Sequence, residues 1–111
     1  MTEEQALEIV NAAVENVEGG DLGDRIQEAV YYGDKLEYKN YLLENQEQVG
    51  GEGEGDHYHI VFSITNKDTS EKVFMKIDGY YSSWEGTDFY GNEPYLVEPK
   101  NKTIVVYEKV K

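Results

Sequence analysis

Residues 57–78 read HYHIVFSITNKDTSEKVFMKID. Within it, Tyr58, Ile60, Phe62 and Ile64 fall on every second position, and so do Val73, Met75 and Ile77. Period-two alternation is the signature of a strand with one face buried. The polar run Asn66–Ser70 between the two segments reads as a turn, so 57–65 and 72–78 form an antiparallel hairpin with one apolar face. That face needs a cover, and the chain upstream supplies one. Thr2 and Gln5 have the spacing of a capping box, and Leu7, Val10, Val14 and Val17 recur at helical intervals beside Ala6 and Ala13. A helix over 2–17 is predicted, stopped by Gly19-Gly20. A shorter helix over 24–32 carries Ile26, Ala29 and Val30 and ends at Gly33.

Further along, the later part of 35–49 is expected to be a strand. Gly50–Gly55, GGEGEG, is too glycine-rich for regular structure. Downstream, 79–93 reads as a long connection, Pro94 and Pro99 bracket an extended piece at 95–97, and 103–110 reads as a last strand. The sum is an α+β fold with one or two N-terminal helices packed on a four- to five-stranded antiparallel sheet. The order resembles helix-then-meander folds of the cystatin kind, a likeness of topology that implies no activity. A chain of 111 residues is expected to be one domain, with an acidic helical part over 1–34 and a mainly β part over 35–111.

Composition narrows the function classes. Residues 1–56 hold 15 acids against 3 bases, or −12, while 57–111 hold 8 against 7, or −1. A net charge of −13 argues against direct nucleic-acid binding and against anionic membrane surfaces, both of which require Lys and Arg. The longest apolar runs, 29–32 and 104–107, are too short to span a bilayer. With no Cys, thiolate catalysis and Cys-based zinc sites are excluded. His57-x-His59 places two imidazoles on one face of a strand, with Asp56, Glu52 and Glu54 nearby in sequence. Two such ligands are too few to define a site, and the spacing of the acids does not match a calcium loop. Ser82 and Ser83 lie in no nucleophile motif. A non-enzymatic protein without a cofactor is expected, in the cytoplasm.

Two constellations remain. Glu4, Glu8 and Glu15 fall near one helical stripe, extended by Glu18, and no lysine occurs before Lys35 to pair with them. Such a stripe is either a solvated helix face or an imitation of duplex phosphate charge that fits the basic surface of a nucleic-acid-handling protein. The other constellation is DGYYSSWEGTDFY over 78–90, which holds Tyr80, Tyr81, Trp84, Phe89 and Tyr90. Aromatics on a loop either cap the open end of a sheet or anchor a partner. Both hold if Tyr80 and Trp84 point inward and Tyr81 and Phe89 outward. The expected partner-binding residues are therefore Glu4, Glu8, Glu15, Glu18, Tyr81, Trp84, Phe89 and Tyr90. A homodimer through an exposed strand edge near Val49 or Val110 is also open. An alternative class is a small-ligand protein that sequesters a nucleotide signal, with Lys72, Lys76, Lys100 and Lys102 clustered on the nearly neutral half.

Four stretches, QVGGEGEG from Gln48, HYHIVF from His57, KIDGYYSSWEG from Lys76 and EPKNKTIVVYE from Glu98, resemble a group of small acidic proteins encoded by bacteriophages. The likeness covers roughly the last two-thirds of the chain. It implies an accessory protein of the host cytoplasm that binds and disables a host protein, such as a defence nuclease or restriction system. It carries over no catalytic residue.

Overall fold

The structure is a computed structural model that describes residues 1–49, 56–82, 86–99, 107, 109 and 110. The strands β1 (Lys35–Tyr38), β2 (Tyr41–Val49), β3 (Asp56–Asn66), β4 (Lys72–Ser82), β5 (Gly86–Asp88) and β6 (Tyr95–Val97) form one antiparallel sheet. Its order is β1-β2-β3-β4-β5, and β6 lies beside β5 on the same edge of β4. The expected α+β architecture is thus present, with more strands than the sequence indicated. Residues 35–49 hold a hairpin rather than one strand, because Lys39 adopts a left-handed φ of 52° and turns the chain at Lys39-Asn40. The expected strand over 103–110 falls largely outside the described residues, and so does the GGEGEG segment.

The central hairpin is as its alternation requires. Ile60 faces Ile77, Phe62 faces Met75 and Ile64 faces Val73, and all but the half-buried Val73 are fully buried. Asn66 shapes the turn by accepting from the backbone N–H groups of Asp68 and Thr69 at 2.9 and 3.3 Å.

Helix α1 (Glu3–Ala13) starts with the capping box read from the sequence. The Thr2 hydroxyl accepts from Gln5 N at 3.2 Å, and Gln5 Oε1 accepts from Thr2 N at 2.9 Å. It ends four residues earlier than the expected Val17, in a stretch where Val14, Asn16 and Val17 are weak helix formers. Ala6, Val10 and Val14 are buried, with Ile9 and Ala13 packed beside the core. Leu7, expected on that side, is half-exposed and takes no part in it. The second helix begins upstream of the expected Asp24, because Asp21 and Asp24 form a reciprocal cap. It runs as α2 (Leu22–Ile26) and then widens into a π-helical segment, Gln27–Tyr32. Ile26 and Val30 are fully buried against the sheet.

Candidate interaction surfaces

Continuing the alternation of β4 past Asp78 decides where the aromatics go. Met75, Ile77, Gly79 and Tyr81 share the core-facing side, so Tyr81 packs against the core and Tyr80 stands on the opposite face. The expected orientations are therefore reversed for this pair. A loop was expected from Gly79, whereas β4 extends to Ser82 and pairs with β5. On the outer face the Tyr80 ring meets His57 edge-on at 6.2 Å.

Phe89 corrects a second expectation. It was expected to face a partner, yet it is fully buried. Its ring lies edge-on to Tyr58 at 5.8 Å and is seated between two glycines. A Cβ at Gly23 would collide with the Phe89 ring, and one at Gly79 would lie 2.8 Å from Phe89 Cδ1. Phe89 thereby locks the chain after β5 to α2. Nothing local to Phe89 signals this seat, since Gly23 lies on α2 and Gly79 on β4. Trp84 lies outside the described residues.

Tyr90, by contrast, is 64% exposed and holds a left-handed φ of 52°. Its turn is built from side chains. Asp88 Oδ1 accepts from Tyr90 N at 2.8 Å, and Asp21 Oδ2 accepts from Gly91 N at 3.2 Å. The second bond brings the Tyr90 turn against the linker between α1 and α2, the segment that carries Glu18.

Glu4, Glu8, Glu15 and Glu18 are all exposed. Glu4 and Glu8 stand one turn apart on the side of α1 opposite the buried Ala6 and Val10, and Glu15 and Glu18 follow beyond its C-terminus. Among the described residues no basic group forms an ion pair with any of these four. Arg25, the only base before Lys35, is half-buried in the α2 layer. Neighbouring acids are used differently. Glu3 Oε2 accepts from Leu96 N at 3.3 Å, tying α1 to β6, and Glu71 holds the amino terminus at 2.6 Å.

Asp78 is a further polar centre, one that no motif singles out. Tyr95 donates its hydroxyl to Asp78 Oδ2 at 2.6 Å, and Lys76 Nζ lies 3.8 Å from Oδ1. The Asp78 carbonyl also accepts from Asn92 Nδ2 at 2.8 Å. The hydrogen bond to Asp78, with burial and the nearby carboxylate charge, pushes the Tyr95 phenol up to about 12. The Tyr95 and Asn92 contacts fix the segment after β5 to the sheet, and the Lys76 contact lies within β4.

His57 is exposed and His59 is half-buried with partners of its own. Among the described residues no group of three His, Asp or Glu side chains is placed to hold a metal ion, while Glu52 and Glu54 lie outside them. No described helix is long and apolar enough to cross a membrane. A groove of about 640 Å³ runs between the start of β4 and the end of β6, lined by Met1, Lys72, Phe74, Leu96 and Val97 among others. Lys72 lies over the Phe74 ring there, 5.5 Å from its centre. Comparison with protein-family models, with curated proteins and with solved structures finds no match for this chain.

Proposed function

We propose that this chain is a non-enzymatic binding protein that uses the acidic side of α1, with Tyr90 at its far end, to occupy a basic surface on another protein. The observation that carries this reading is the set of four exposed carboxylates, Glu4, Glu8, Glu15 and Glu18, with which no base among the described residues forms an ion pair. Acids without internal partners repel one another and lower stability, so their retention fits a use outside the fold. Together with the phage-like stretches, it supports an accessory protein that inhibits a host nucleic-acid-handling factor in the host cytoplasm by presenting duplex-like charge. Tyr90 adds an aromatic anchor, a residue type that dominates binding energy at interfaces.

Capture from bacterial lysate on the tagged chain, washed at low and high salt, tests this. A basic nucleic-acid-handling protein retained at low salt and released at high salt is the expected result, because attraction between exposed charges is screened. Capture that is indifferent to salt, or no capture at all, would count against it. A second reading, sequestration of a small anionic ligand, draws on the groove beside Lys72 and Phe74. A rise in Tm with a nucleotide at concentrations well above its Kd would favour that reading.

A further inference from the structure

We propose that a recess at the start of α1 receives an arginine side chain of the basic partner. The proposal rests on the acidic-face reading, since Glu8 belongs to that face, and it names the group that enters there. The recess has a volume of about 310 Å³ and lies between α1, the start of β2 and the turn joining β3 to β4. Its apolar wall is formed by Met1, Ile9 and Tyr41, half-buried side chains that also pack against the core. Its carboxylates are Glu8 and Glu71, both exposed. The fold brings this pair together from distant positions. Glu8 is on the second turn of α1, and Glu71 immediately precedes β4.

The charge balance of the recess selects a cation. Glu71 holds the amino terminus at 2.6 Å, so two carboxylates and one ammonium leave −1. Among the described residues no Lys or Arg forms an ion pair with either carboxylate. One incoming cation neutralises the recess, whereas an anion is repelled both there and by a chain of −13. A purely apolar group would cover the two carboxylates and strand them away from water. Gln5 and Asn66, also in the lining, spend their side-chain oxygens on Thr2 N and on the N–H groups of Asp68 and Thr69, so recognition falls to the carboxylates. Arginine fits this lining better than lysine. Its methylene stem covers apolar wall, its planar guanidinium offers paired donors to a carboxylate, and its flat face stacks on a tyrosine ring.

NMR titration of the full chain at physiological salt tests this. The probe is a short capped alanine peptide with one central arginine, set against the same peptide with citrulline, the uncharged isostere, and with lysine. Saturable shifts at the amide signals of Ile9 and Tyr41 are expected with arginine, weaker ones with lysine and none with citrulline. Glu8→Gln is expected to weaken the arginine peptide about threefold. Glu28→Gln removes the same charge from an exposed residue outside the recess and should leave binding unchanged. No saturable shift at these residues, an equal response to citrulline or to lysine, or equal weakening by the two variants overturns the proposal. The comparison of peptides on the wild type decides the matter even where a variant fails to fold. Failure of the wider reading looks different: the arginine peptide would still bind, but no basic protein would be captured from lysate. Salt-sensitive capture without peptide binding would sink the recess alone.

Discussion

In the sheet and its connections four acids are anchored. Glu71 holds the amino terminus, Asp78 accepts from Tyr95, Asp68 accepts from Asn40 and Asp88 shapes the Tyr90 turn. On the outward side of α1 and just beyond it, Glu4, Glu8, Glu15 and Glu18 touch no base among the described residues. The same residue types therefore do different work: these carboxylates of the sheet and its turns hold other groups in place, as Glu3 of α1 holds Leu96 N, whereas Glu4, Glu8, Glu15 and Glu18 only add charge. Substitutions should separate the two, and the burial of Phe89 supplies the upper end of the scale.

Phe89→Ala should be the most damaging change. It empties the seat between Gly23, Gly79 and Tyr58, and a buried Phe→Ala costs about 3–5 kcal/mol, measured by denaturant unfolding. Next comes Gly23→Ala. Its added methyl runs into the Phe89 ring, and overpacking of this kind costs about 1–3 kcal/mol by the same measurement. Restoring stability by combining Gly23→Ala with a smaller residue at 89 would confirm that the two clash.

Tyr95→Phe is milder, at about 0.5–1 kcal/mol for the lost hydrogen bond. The bond also leaves a pH signature. The folded-state pKa of Tyr95 lies above the ordinary value of 10.0, so its contribution is complete below pH 10 and is lost as the pH rises through about 12. Phenolate absorbance should show a late-ionising component in the wild type that moves to lower pH in Asp78→Asn. The smallest effect is expected from neutralising Glu4, Glu8, Glu15 and Glu18 to Gln, which should move Tm by no more than about 2 °C. Any shift should be upward and confined to low salt, where repulsion is unscreened. A loss of stability as large as that of Tyr95→Phe would break the contrast between the two regions.

The legible parts of the fold were those set by local pattern. The 57–78 hairpin follows from period-two alternation, and the start of α1 from the Thr2–Gln5 cap. Exposure of Glu4 and Glu8 follows from helical spacing opposite Val10. What escaped the sequence was set by contacts distant along the chain. The length of β4 depends on β5 returning to pair with Tyr80–Ser82, and without that strand the aromatic run reads as a loop with its inward and outward rings exchanged. Phe89 is buried because Gly23, far back in the chain on α2, leaves room for its ring. Neighbouring Tyr90 is exposed because Asp88 and Asp21 pin the turn around it. Two adjacent aromatics thus have opposite fates, and no property of either residue alone foretells which is which.

The most direct test of the acidic-face account is the affinity of the captured protein for wild-type chain and for the Glu4→Lys, Glu8→Lys, Glu15→Lys triple variant, each with Tm recorded in the same buffer. The account predicts that the variant melts with the wild type and no longer binds. Full affinity in the folded variant would contradict it.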